Sequence, residues 1–149
     1  MLGHKGINNA HFNKRFKWWC RRVSVTGWGV ITEKEYVEAL RKHLTQDNHK
    51  LKKYRYCLSD WTAVSKVTIS TKAIELIAWL SKSSALVNPD VVIATVADQD
   101  IMYGLSRMAQ TLRDEAGWEN EVFRNRQDAE AWIKKRVKGK YGIYDPTLD

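Results

Sequence analysis

The sequence predicts a single α/β domain, with a sheet of about four to five strands flanked by about four α-helices. Three observations carry this expectation. Between Leu58 and Val137, strand-like and helix-like segments alternate at short intervals, the pattern of strands joined by helices that cross back over a sheet. Val91–Ala97 is apolar at nearly every position, as a strand covered on both faces must be. A chain of 149 residues with 44% hydrophobic content and seven Trp can bury one core and does not have a disordered composition.

Each element has a local reason. Gly3, Gly6, Asn8 and Asn9 show no periodicity, so residues 1–13 are expected to be a flexible N-terminal segment, followed by the domain (14–138) and a C-terminal tail (139–149). Arg15–Thr32 reads as two strands, with Val23, Val25 and Trp28 as β-formers and Gly27 and Gly29 marking a bulge or tight bend. Thr32 followed by Glu35 is a capping box for a helix over Glu33–Thr45, with Tyr36, Ala39, Leu40 and Leu44 on one face. Gln46–Lys53 is a polar connection. Tyr54–Asp60 then reads as a strand, with Tyr54, Tyr56 and Leu58 on one face and Arg55 and Cys57 on the other. Trp61–Ser70 reads as a long connection whose Val64, Val67 and Ile69 turn inward. Ser70 or Thr71 caps a helix over Thr71–Ser81, and Asn88-Pro89-Asp90 bars any helix from passing. After the central strand, Asp98 or Asp100 caps a helix over Ile101–Glu115, which ends at Ala116-Gly117. Glu121–Arg124 is a short strand, and Asn125 or Arg126 leads into a last helix over Asp128–Val137.

Composition excludes some functions. The longest apolar runs fall short of the roughly eighteen residues of a transmembrane helix. The basic N-terminus MLGHKGINNAHFNKRFKWW has no apolar h-region, so it is not a secretory signal, and a cytoplasmic location is expected. Cys20 and Cys57 have no metal-ligand spacing and read as buried free thiols. His4, His11, His43 and His49 likewise have no such companions, so neither a metal nor a cofactor is expected. There is no GxGxxG, no GxxxxGK[ST] and no GxSxG, so the chain reads as non-enzymatic. The net charge of +8 lies at the ends: residues 1–22 hold six basic residues and no acid, and residues 131–149 hold five against Asp145 and Asp149. Such ends usually solubilise. Trp18 and Trp19 beside Lys17, Arg21 and Arg22 could stack bases of a single strand, so nucleic-acid association, though disfavoured, stands as a second alternative.

Candidate site residues gather at one helix start. Asp98, Asp100, Tyr103 and Arg107 surround it, and Tyr103 and Arg107 are four apart on one face. They lie at the carboxyl end of the apolar strand, where open α/β sheets bind ligands. The plainer reading is capping plus a surface Asp–Arg pair. Trp28, Trp61, Trp79, Trp118 and Trp132 are candidates for a self-association or partner surface, or else half-buried seams between helices and sheet.

The order of two strands followed by repeated helix–strand units resembles the sporulation anti-anti-sigma (STAS, SpoIIAA-like) domains, over roughly Val23 to Val137. Ser59-Asp60-Trp61-Thr62-Ala63-Val64-Ser65-Lys66-Val67-Thr68-Ile69-Ser70-Thr71 is similar to that family's strand, its connecting segment and the Ser that opens its second helix. Met102-Tyr103-Gly104-Leu105-Ser106-Arg107-Met108 looks like a poorly characterised bacterial branch of it. The resemblance implies a mixed sheet flanked by helices, a regulatory protein–protein role and candidate phosphoacceptors at Ser70 and Thr71. The family's Asp-Ser-Ser-Gly is here Thr68-Ile69-Ser70-Thr71, and a plain helix cap at Ser70 is the alternative.

The reading is therefore a non-catalytic regulatory or binding domain with a protein partner or a second copy of itself. Its surface would be formed by the Thr62–Thr71 connection and the start of the Ile101–Glu115 helix, with Asp60, Ser70, Asp98, Asp100, Tyr103 and Arg107 as contacts. A small-molecule or lipid-binding domain, with an apolar pocket between sheet and helices, is the first alternative.

Overall fold

The elements run β1 (Phe12–Lys17), β2 (Arg22–Thr32), α1 (Glu33–Leu44), β3 (Tyr56–Thr68), α2 (Thr71–Val87), β4 (Val92–Val96), α3 (Asp100–Asp114), β5 (Glu119–Phe123) and α4 (Arg126–Tyr141). They come from a computed structural model whose described residues are 12–17, 22–44 and 52–142. Trp18, Trp19 and Cys20, most of the expected N-terminal segment and most of the expected tail lie outside those residues.

The strands form one five-stranded sheet in chain order. β1 pairs antiparallel with β2, and β2 to β5 are parallel neighbours. The mixed α/β sheet with four helices is the architecture expected from the sequence. Alternation along the strands sorts the core into two layers. Cys57, Trp61 and Ile93 face Tyr36 and Leu40 of α1, Ile74, Ile77 and Leu80 of α2, and Met102 and Ala109 of α3. Tyr56, Leu58, Val92, Ala94 and Val96 face Ala129, Ile133 and Val137 of α4. Every residue of β4 is buried, as a strand covered from both sides must be. Tyr54 departs from its expected face. It precedes the regular strand and joins the Cys57–Trp61 layer instead of the Tyr56–Leu58 one.

The largest correction is at Trp61–Ser70, read above as a connection. β3 continues through it to Thr68, paired with β2 as far as Thr32↔Thr68. Two register shifts, between Thr26 and Trp28 and between Gly29 and Val30, place extra residues on the β3 side. Each breaks the two-residue alternation that makes a strand readable in sequence. The glycines expected at a bend are what permit it. Gly29 has φ 68°, and a Cβ on Gly27 would lie 2.5 Å from the ring of Trp61.

Helix ends follow cap chemistry with one exception. Thr32 and Glu35 form the capping box of α1, the Glu35 N–H donating to Thr32 Oγ1 (3.3 Å) and the Thr32 N–H to Glu35 Oε2 (3.1 Å). α2 runs past Ser81 because serine hydroxyls satisfy themselves inside it: Ser81 Oγ donates to the Ile77 carbonyl at 2.8 Å. α3 is capped by neither Asp98 nor Asp100. Its N-cap is Gln99, without a side-chain bond, and Asp100 is its first residue. Asn125 caps α4 by accepting from the Asp128 N–H at 2.8 Å, and Gly142 (φ 68°) closes it. No described helix is long and apolar enough to cross a membrane.

Candidate functional site

Because β3 outlasts β4, the sheet has a step. β4 ends opposite Asp60, with Val96, whereas β3 and β2 continue together to Thr68 and Thr32. The candidate residues divide between the step and the far end of the two-stranded extension.

At the far end, Ser70 caps α2. Its Oγ accepts from the Ala73 N–H (3.2 Å), and its own N–H donates to Glu33 Oε1 at 2.7 Å. Hydrogen bonds from the Ser70 hydroxyl and then its backbone N–H hold the Glu33 carboxyl below its usual range. Glu33 opens α1, so this contact ties the starts of two helices together. Thr71, the first residue of α2, is exposed.

At the step, Arg124 from the end of β5 organises three expected residues. Its Nη1 donates to the Asp98 carbonyl (3.0 Å) and to Asp100 Oδ1 (2.7 Å), and its guanidinium lies 3.8 Å from the Tyr103 ring centroid. Arg107 does not join them. It turns to β5, donating to Gln110 Oε1 (2.5 Å) and Glu121 Oε1 (3.3 Å), while Gln110 Nε2 donates to the Asn120 carbonyl at 3.0 Å. Tyr103 and Arg107 thus bind different partners one helical turn apart.

Asp60 occupies the other face of the same step and is buried. Its Oδ1 accepts from the Thr62 N–H (3.0 Å) and hydroxyl (2.7 Å), and its Oδ2 from Arg126 Nη1 (3.2 Å). Thr62 lies at the first bulge, where a side chain supplies the acceptor that the ladder does not. Arg126 Nε also donates to Glu130 at 2.7 Å. Burial pulls the Arg126 pKa down, but Glu130 and Asp60 outweigh it and hold the guanidinium above its usual value. No hydrogen bond or ion pair among the described residues joins Asp60 to Asp98, Asp100 or Tyr103.

The expected aromatic surface is also divided. Trp61 and Trp118 are core residues, Trp132 is half-buried beside Phe123 (centroids 5.7 Å apart), and among the described tryptophans only Trp28 and Trp79 are broadly exposed. No group of three or more His, Cys, Asp or Glu among the described residues could hold a metal ion.

No protein-family model matches the chain, and no curated protein matches it. Solved structures do. The anti-sigma factor antagonist SpoIIAA in its unphosphorylated form superposes with a TM-score of 0.50 and 11% identity, covering 86% of this chain and 98% of that one. This chain has a SpoIIAA-like fold. A second match, at TM-score 0.44 and 16% identity over 82% of this chain and 91% of that one, is an uncharacterised DUF3478-family protein with a SpoIIAA-like fold from Shewanella loihica PV-4.

Within this SpoIIAA-like fold, sequence reasoning missed Glu33, Arg124 and Arg126, which organise the residues it did name. Arg124-Asn125-Arg126 sits at a strand-to-helix junction. The rule that singled out Asp98 to Tyr103 as lying at a strand's carboxyl end would have found it too.

Proposed function

We propose that this domain acts by binding a protein partner, without catalysis, on the surface where the β2–β3 ribbon outruns the rest of the sheet. One observation carries the reading. On the face opposite α1 and α2, this ribbon has no described helix over it, and Trp28 (40% exposed) and Val30 (51%) stand there beside Ala63 and Lys66. Exposed apolar side chains ringed by polar ones are the composition of a partner surface. Thr62, Ser65 and Thr68 on the ribbon supply a polar rim. SpoIIAA, whose fold this is, is an anti-sigma factor antagonist, a protein that acts on other proteins.

Ser70 and Thr71 are the candidate modification points. A phosphate on Ser70 Oγ would suit the helix N-terminus but would meet the Glu33 carboxylate already bonded there. It would therefore loosen the tie between the starts of α1 and α2 while adding charge at the end of the binding ribbon.

The test is an affinity pulldown from nuclease-treated lysate with intact-mass analysis of the bait, run on wild type, Val30→Glu and the remote surface variant Trp79→Ser. A stoichiometric protein captured by wild type and Trp79→Ser but lost in Val30→Glu supports the reading. Equal capture by all three, or by none, refutes it.

A further inference from the structure

A pocket lies at the opposite end of the strands from the proposed partner surface. It opens between the sheet and the helices α1, α2 and α3. Val25, Leu40, Ile93 and Trp118 give it apolar walls, and each of these is buried. Its frame is fixed by two bonds of 2.8 Å: Trp118 Nε1 donates to the Asn88 carbonyl, and Asn88 Nδ2 donates to the Tyr54 carbonyl.

Among the described residues, one charged group lines this apolar space. Arg113, from the last turn of α3, lines the pocket; its Nε is buried and has no hydrogen-bond partner among the described residues. Nor does its guanidinium form an ion pair with any described carboxylate. Its charge is felt inside the core, where it partly offsets the burial that raises the Tyr36 hydroxyl above its usual pKa. A position in the last helical turn suits a cation, but that does not satisfy a buried N–H, which is costly when left without an acceptor. Polar groups on the sheet floor add to the recognition: Ser59 lines the pocket and its hydroxyl lies 3.8 Å from Cys57 Sγ.

We infer that this pocket binds a small organic anion with an apolar body, such as a medium-chain or aromatic carboxylate. The carboxylate pairs with the Arg113 guanidinium, accepting from its orphaned Nε–H, and the tail lies against Val25, Leu40, Ile93 and Trp118. The chemistry follows from the lining. An apolar ligand without charge would leave the Nε–H unpaired, and a compact ion such as inorganic phosphate would leave the apolar walls wet. The site is independent of the ribbon surface, so either assignment can fail without the other.

Octanoate is the probe. Isothermal titration should show one site on the wild-type protein, and Arg113→Met, which keeps the length and the apolar stem, should weaken octanoate by at least about tenfold. Neutral octan-1-ol should bind both proteins equally. A second readout needs no variant: the Arg113 Nε–H resonance of the wild-type protein should shift as octanoate is added, together with the methyl signals of Val25, Leu40 and Ile93. No octanoate binding below about 1 mM, equal binding by Arg113→Met, or shifts confined to other residues would each overturn the assignment. Should Arg113→Met fail to fold, the wild-type resonance decides alone.

Discussion

Replacing Gly27 by alanine puts a methyl group where a buried ring already lies. An ideal Cβ at this position falls 2.5 Å from both Cε3 and Cζ3 of Trp61 and 3.1 Å from Cδ1 of Ile31. Ordinary contact begins at 3.4 Å, so the ring must retreat by roughly 0.9 Å, the difference between 3.4 and 2.5 Å. It has nowhere to go: Trp61 is 4% exposed and leans on Tyr36, with centroids 5.9 Å apart and planes at 53°. The backbone of Gly27 lies outside the left-handed region, so the penalty is steric and not conformational. Overpacking of this kind costs about 1–3 kcal/mol. At this chain length that corresponds to a fall in Tm of about 2–12 °C. Urea titration should show the midpoint lowered with the slope unchanged. A double-mutant cycle with Trp61→Leu locates the cause, since Gly27→Ala should cost markedly less once the ring is gone. Wild-type stability in Gly27→Ala, or an equal cost with and without the Trp61 ring, would refute the reasoning.

The opposite sign is expected at Gly104, which sits in α3 with nothing within 4 Å of an added Cβ. Gly104→Ala should stabilise by about 0.5–1 kcal/mol in the same titration. Asp60→Ala strips the bulge N–H of Thr62 of its acceptor and leaves Arg126 with Glu130. It should cost about 1–3 kcal/mol, and Asp60→Asn, which keeps an acceptor for Thr62, should cost clearly less. Because Ser70 holds the Glu33 carboxyl below its usual 4.5, the tie it makes is fully present above pH 4.5 and is lost as the pH falls through its lower folded value. An NMR titration of the Ser70 amide should show that transition, and Glu33→Gln should abolish it. Arg124→Ala removes an ion pair whose Asp100 side chain is 94% exposed, together with the stacking on Tyr103. It should cost no more than about 1 kcal/mol by thermal melt, while changing the Tyr103 ring shifts.

How much of this could be read beforehand depended on whether the deciding interaction was local. The Thr32–Glu35 box and the stop at Asn88-Pro89 involve residues a few positions apart, and their patterns are in the chain. β4 was legible because burial on both faces demands an unbroken apolar run. The second half of β3 was not. Its strand character comes from a partner more than thirty residues away, and its two bulges erased the alternation that would have betrayed it. The length of α2 was missed for a related reason, since the bond from the Ser81 hydroxyl back to Ile77 forms only once the helix is there.

The candidate site shows the same division. Asp98, Asp100 and Tyr103 were found because they crowd one helix start, but spacing alone attached Arg107 to them. A helix surface fixes which residues are neighbours and leaves open which of them finds a partner in another element. Glu121 captures Arg107, and Arg124 from the end of β5 takes the vacant place. Arg113 takes this logic one step further. It lies two turns and more beyond Tyr103 on the same helix, in a stretch that reads only as a favourable helix end. What makes it informative is a set of neighbours drawn from β2, β3, β4 and α1, none of which supplies the acceptor that a buried guanidinium nitrogen requires. Cations that meet their partners within the fold explain the architecture, and Arg113, whose buried Nε meets none among the described residues, is where a ligand should be sought.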